Sequence, residues 1–320
     1  MTVITLGDCP ICHSRDLAVI PTPRHWVGET LFCRHADLLG LTRCIVCDFV
    51  FVNPRPDESS LDEFYSSHDF ANDAVMAHEP ASRRAALQLA GVERFMRPRG
   101  GARLLDYGCG EGLLLREALA AGWNAIGYDI GVSAIAACRQ RGLPVVDALD
   151  DIADERFDVI VLSHVFEHLA NPSTALESLK VKLVLDGLIF FEVPNAKSLR
   201  AKLSPQMATA WLGFDERYRA FPIHLSYFSA RAMLRLLRRH GMAAAWMTTT
   251  GLGLDRLIAH RNEHEVAGPS LRIHRAPSVR GGLRRFARDA FKQAFFGLGM
   301  GENLLVIARM RAHGGEGGRE

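Results

Sequence analysis

Three groups of side chains in this 320-residue sequence have the types and spacing to do chemistry. The first is the run Asp106-Tyr107-Gly108-Cys109-Gly110-Glu111-Gly112, with Asp129 following it. Closely spaced glycines let the backbone approach a ligand, and a helix starting directly after them offers free amides and the positive end of its dipole. An acid at the end of the next strand can accept hydrogen bonds from the hydroxyls of a ribose. The second group is Cys9-x-x-Cys12 with Cys44-x-x-Cys47, four thiolates that satisfy a closed tetrahedral zinc site. The residue after the second cysteine of each pair is expected in a left-handed conformation, and His13 and Asp48 belong to the types that tolerate it best. The third group comprises His164, His168 and His224, imidazoles suited to proton transfer near neutral pH.

The surrounding pattern places these groups. Short apolar runs ARLLDYG, NAIGYDI, LPVVD, FDVIVLS and LIFFEVP alternate with helix candidates LLLREALAAG, VSAIAACRQRG and STALESLKVKLVLDG. Such alternation predicts an α/β fold, a mostly parallel sheet with helices on both faces, and continuous apolar strands agree with burial on both sides. Further on stand a helix SARAMLRLLRRHG and strands AAAWMTTT and NLLVIARM. Residues 1–55 are read as a small cysteine module and 56–100 as a helical connector. The α/β domain then covers 101–312 with a basic insertion at 252–300, and 313–320 form a disordered tail.

The glycine loop departs from the dinucleotide fingerprint, because position 113 is Leu and the third glycine falls at 112. Asp106 just before the loop would repel a pyrophosphate but suits a ligand with a positive amino group. From Asp106 to Gly112 the chain resembles the first motif of class I S-adenosylmethionine-dependent methyltransferases, a resemblance extending over about residues 85–310. It implies a Rossmann-like sheet of seven strands, with the last two antiparallel. It also implies cofactor contacts from Asp106, Gly108, Cys109, Gly110, Gly112, Asp129 and Ile130, from Asp147 and Ala148 beside the adenine, and from Ser163 and His164. Cys109 and Cys138 are read as small buried apolar residues.

The cysteine pairs followed by FVNPRP resemble the zinc-ribbon head found before some methyltransferases of sugars and other small metabolites. Cys9, Cys12, Cys44 and Cys47 are the expected ligands, with Cys33 and His35 as alternatives. A site closed by four thiolates has a structural or acceptor-positioning role. The segment around His224 is similar to one in sugar C-methyltransferases, where a Glu-His pair serves the chemistry. Ile223 stands here in place of that glutamate, and His224 is the candidate general base. The run His164-Val-Phe-Glu167-His168 invites a metal reading but is not HExxH, and a structural role is expected for His168.

The acceptor is expected to be a small molecule, such as a saccharide, a lipid-linked sugar or a related metabolite, methylated on oxygen or carbon. The chain carries neither an Asn/Asp-Pro-Pro-aromatic motif after the fourth strand nor a Pro-Cys nucleophile in the domain. A net charge of +2 does not call for nucleic acid. An RNA methyltransferase gripping its substrate with the zinc module and basic helix is one alternative, and a non-catalytic binding protein of the same fold is another. Within the basic insertion, residues 283–295 form an apolar helical stripe flanked by Lys and Arg, to be weighed as a packed helix or as a contact with an anionic membrane surface. Without a secretion signal or an apolar run of membrane-spanning length, a cytoplasmic location is expected.

Overall fold

The computed structural model describes residues 1–21, 34–67, 81–153, 156–198, 221–250 and 298–311. Its largest element is a seven-stranded sheet. In chain order the strands are β6 (Arg103–Tyr107), β7 (Asn124–Tyr128), β8 (Val145–Val146), β9 (Phe157–Ser163), β10 (Leu183–Pro194), β12 (Met242–Thr250) and β13 (Asn303–Met310). Their spatial order is β12-β13-β10-β9-β6-β7-β8. Strands β10, β9, β6, β7 and β8 pair in parallel, while β13 runs antiparallel to both β10 and β12. The chain order reverses between β6 and β9, so a crevice opens at their carboxyl ends.

The apolar runs predicted as strands fall on these strands. One helix boundary is different: α5 covers Pro172–Lys180, and the LVLDG predicted as its last turn opens β10. There Leu183 pairs with Phe157 before the register shifts ahead of Leu188, with Asp186 in the left-handed region. A strand arm ending in a bulge reads as helical spacing when only apolar periodicity is counted.

Helices cover both faces. On one side α2 (Ala81–Glu93) and α3 (Leu113–Ala120) bury Leu89, Val92, Leu114 and Leu115 against Leu104, Val159 and Phe190. On the other, α5 and α6 (Ala230–Arg239) bury Leu176, Leu179, Met233, Leu236 and Leu237 against Ile160, Leu162 and Phe191. Helix α6 starts where Ser229 Oγ accepts the Ala232 amide at 3.2 Å, a side-chain cap that satisfies one unpaired donor. The remaining helices are α1 (Glu58–Ser67) and α4 (Val132–Gln140).

The amino-terminal residues form β1 (Val3–Ile4), β2 (Leu17–Ile20), β3 (Leu41–Cys44), β4 (Val50–Val52) and β5 (Arg55–Pro56). Strands β2, β3 and β4 build a second sheet whose fourth member is β11 (Ser226–Tyr227), from the far side of the chain. The cysteine segment is therefore bonded to the segment that carries His224. Aromatic packing reinforces the joint: Phe49 lies 5.2 Å from Phe228, Phe228 lies 5.3 Å from Phe166, and Phe166 lies 4.8 Å from Phe191 of the large sheet. All four rings are enclosed in one core with the cysteines.

No helix among the described residues is long and apolar enough to cross a membrane. Most of the basic insertion, including the 283–295 stripe, and all of the tail lie outside the described residues. Truncating Phe228, which has no exposure, should leave a cavity at the joint and cost about 3–5 kcal/mol. Urea unfolding of Phe228→Ala should show a clearly lowered midpoint; an unchanged midpoint would mean that the ring does not carry the joint.

Candidate active site and cysteine centre

Strand β6 delivers Asp106 and Tyr107 to the crevice, and the chain then turns through three glycines with φ of +75° at Gly108, +53° at Gly110 and +77° at Gly112. A side chain at Gly108 would meet Val165 Cγ2 at 2.3 Å, and one at Gly112 would meet Leu143 Cδ1 at 2.5 Å. At Gly110 no atom of the described residues lies within 4 Å of that position, so among them it faces open space. Two glycines thus let the turn pack closely, and the third keeps clear the side that a ligand could approach.

Asp129, at the end of β7, holds this turn in place. One carboxylate oxygen accepts the Gly110 amide at 2.8 Å and the other accepts the Gly131 amide at 2.8 Å. Asp106 lies beneath the loop at 3% exposure, and its Oδ2 has no hydrogen-bond partner among the described residues. Burial, followed by the neighbouring charge of Asp129, pushes its carboxyl up to about 7. Cys109 and Cys138 are buried small residues, as expected, with the Cys138 thiol donating to the Gly110 carbonyl at 3.2 Å.

The other expected cofactor residues rim the same crevice at the strand ends. Ile130 is 40% exposed. The Asp147 carboxylate pairs with Arg139 at 3.1 Å, and Ala148 leads into a short 3-10 turn at Leu149–Ile152. At the end of β9 the Ser163 hydroxyl accepts from Gln88 Nε2 at 2.6 Å, and His164 follows with φ of +55°.

Past His164 lies a group of side chains that sequence reasoning read only in part. Nδ1 of His164 is 3.4 Å from Glu167 and Nε2 is 3.5 Å from Glu192. Burial works against its charge, but these two carboxylates outweigh it and lift the imidazole to about 10. These two carboxylates thus favour the protonated form of His164 near neutral pH. Burial likewise opposes ionisation of Glu192, yet His164, Gln88 and Asn303 hold it down at about 2. Glu167 has no exposure at all, and His164 keeps its carboxyl below the usual range despite that burial.

His224 reaches the same carboxylate, with Nε2 4.0 Å from Glu167 Oε1. Its ring stands edge-on to His168, centroids 4.8 Å apart. The backbone explains the placement: the Leu225 amide donates to the Glu167 carbonyl, and the Val52 amide of β4 donates to the Leu225 carbonyl, both at 2.9 Å. Tyr65 of α1 donates its hydroxyl to the Ile223 carbonyl at 2.9 Å and lies 3.3 Å from His168 Nδ1. Beside His224 in space thus stands a carboxylate, Glu167, from a distant segment. The spacing His164-x-x-Glu167-His168 was the available signal, but Tyr65 and Glu192 left none.

The four cysteines converge as expected. Cys9 and Cys47 have sulfurs 3.6 Å apart, Cys12 and Cys44 3.5 Å, and all four lie within 4.8 Å of one another. Tetrahedral bonds of about 2.3 Å would set sulfurs about 3.8 Å apart, so the donor set fits zinc. Each pair turns as a knuckle: the His13 amide donates to the Cys9 carbonyl and the Asp48 amide to the Cys44 carbonyl, both at 2.9 Å. His13 and Asp48 have φ of +54° and +64°, the predicted left-handed turns. The alternative ligand His35 is not part of this cluster, and Cys33 lies outside the described residues.

A family model described as a methyltransferase domain matches residues 78–244, just over half of the chain. The chain is 28% identical over 159 residues to a ubiquinone biosynthesis O-methyltransferase of Actinobacillus pleuropneumoniae, covering 45% of this chain and 68% of that protein. It is 33% identical over 109 residues to the enzyme of the same name from Glaesserella parasuis, covering 30% of this chain and 46% of that protein. A solved methyltransferase from Archaeoglobus fulgidus superposes with a TM-score of 0.46 at 21% identity, covering 71% of this chain and 93% of that one. The chain belongs to the methyltransferase-domain family, as a class I S-adenosylmethionine-dependent methyltransferase.

Proposed function

We propose that this protein transfers a methyl group to a hydroxyl of a small-molecule acceptor in the cytoplasm, a saccharide, lipid-linked sugar or related metabolite. The observation that carries the reading is a crevice with an acid-framed glycine turn on one side and a carboxylate–histidine pair on the other. Asp106 and Asp129 frame an open glycine turn, while Glu167 and His224 meet a few residues beyond the end of β9. The relatives named as O-methyltransferases support oxygen as the acceptor atom.

In this reading the sulfonium supplies a methyl group with a good leaving group. Asp129 keeps its hold on the Gly110 and Gly131 amides and offers its remaining lone pairs to the ribose hydroxyls. Asp106 lies where an ammonium group would answer its charge, with Gly108, Cys109, Gly110 and Gly112 forming the loop and Ile130, Asp147 and Ala148 bordering the adenine. Ser163 and His164 stand at the junction with the acceptor side. His224 is the residue through which the acceptor loses its proton. In-line transfer needs alignment above all, and proton removal contributes roughly 10²–10⁴-fold. The four cysteines hold zinc in a structural role, and through β4 the module braces the His224 segment.

Three outcomes follow. A cationic ligand prefers the ionised form of Asp106, so below its folded value the carboxyl must first lose a proton. Cofactor affinity should therefore fall as pH drops through about 7. Calorimetry across that range should show the slope in wild type, and Asp106→Asn should flatten it and weaken binding by about 1.5–3 kcal/mol. A flat profile in wild type would remove Asp106 from the ammonium site.

His224→Ala should lower turnover by roughly 10²–10⁴-fold with cofactor affinity unchanged, measured once an acceptor is in hand. Turnover within a few-fold of wild type would place proton removal elsewhere. For the cysteine centre, elemental analysis should give one zinc per chain, and Cys44→Ser should lose it. Fully folded, metal-free protein would count against the zinc.

A further inference from the structure

We propose that Glu167, His168 and His224 form a second metal site, for a first-row divalent cation that binds the acceptor's hydroxyl. This deepens, and rests on, the reading of the Glu167–His224 side of the crevice as the place where the acceptor hydroxyl loses its proton, with His224 acting as a ligand there. One ligand atom from each of the three lies within 4.8 Å of the other two. The cluster is distinct from the cysteine centre and uses a different donor set.

The carboxylate makes the case. Glu167 has no exposure, yet neither of its oxygens has a hydrogen-bond partner among the described residues. Its two imidazole contacts, 3.4 Å from His164 and 4.0 Å from His224, both fall on Oε1. Oε2 accepts nothing among the described residues. A buried carboxylate oxygen that no donor among the described residues reaches is a place where a cation can complete the ligand set.

The histidines are prepared in the way metal ligands are. Nδ1 of His168 lies 3.3 Å from the Ile223 carbonyl, which selects the tautomer with its proton on Nδ1 and the lone pair on Nε2. The same carbonyl accepts the Tyr65 hydroxyl, so the ring is fixed from two sides. The ring of His224 crosses it at 82°. The Leu225 amide bonded to the Glu167 carbonyl ties the two ligand segments together. His164 keeps its second contact with Glu192 when a cation draws on Glu167.

Two imidazoles and one carboxylate suit manganese, iron(II), cobalt or zinc better than calcium or magnesium, and three protein ligands leave positions open. A hydroxyl bound there ionises at lower pH, and the methyl transfer then forms the O–C bond as the S–C bond breaks. The hydroxyl proton leaves to solvent. The structural role expected for His168 from sequence becomes that of a ligand.

The test uses the full chain with its cysteine centre loaded, titrated with Mn²⁺, a probe that favours nitrogen and oxygen over thiolate. Free Mn²⁺ is followed by electron paramagnetic resonance. Wild type should bind one Mn²⁺ per chain. Glu167→Gln and His168→Ala should each weaken it at least tenfold while keeping wild-type affinity for S-adenosylhomocysteine, which reports folding. If one variant does not fold, the other decides. Cys44→Ser should lose zinc and still bind Mn²⁺. No binding by wild type, or equal binding by both variants, overturns the site. If wild type binds no Mn²⁺ but His224→Ala still loses turnover with intact cofactor affinity, the cation falls and His224 stands as a base.

Discussion

A carboxylate enclosed at zero exposure has to be answered by charge, and Glu167 imposes that demand where three parts of the chain meet. The turn after β9 brings His164 and Glu167, the segment before α6 brings His224, and α1 brings Tyr65 to steady the Ile223 carbonyl. None of these segments neighbours the others in sequence. Their meeting is enforced by backbone hydrogen bonds, from Leu225 to Glu167 and from Val52 to Leu225. The second of these comes from the cysteine-bearing sheet, so that sheet braces the functional crevice directly. Phe49, Phe228 and Phe166 fill the joint with apolar surface.

The opposite side of the crevice is built by local geometry. There the constraint is a turn in which three glycines adopt positive φ and Asp129 ties the Gly110 and Gly131 amides. Asp106 is left beneath, with a buried oxygen that lacks a partner among the described residues. A cationic group arriving over the loop would relieve two penalties together, the burial of Asp106 and its repulsion from Asp129. The two sides differ in kind: a short continuous stretch makes one, and distant segments converge on the other.

That difference decides what can be read from residues alone. The Asp106–Gly112 loop, Asp129 and the CxxC pairs are local patterns, and the left-handed turns at His13 and Asp48 follow from their position in a knuckle. The parallel strands were legible because burial on both faces leaves continuous apolar runs. The arm of β10 was not, since LVLDG before a bulge keeps a helix-like spacing. Neither was the partnership of Glu167 with His224, which β11 and β4 create across the fold. Ile223 in place of a glutamate suggested a missing carboxylate, whereas a carboxylate from a distant segment stands beside His224. Likewise residues 1–55 read as a cysteine module, and the sheet they form is completed by Ser226 and Tyr227.

The reading depends most on the cofactor lying over Gly110, the one glycine of the loop that faces open space among the described residues. Asn tolerates a positive φ, so Gly110→Asn should preserve the turn while filling that space with a side chain. The decisive measurement is calorimetric titration of S-adenosylhomocysteine into wild type and Gly110→Asn, alongside their unfolding midpoints. One equivalent should bind wild type, and the substitution should lower affinity at least tenfold with the midpoint nearly unchanged. Equal affinity in the two proteins would contradict the placement of the cofactor over this loop.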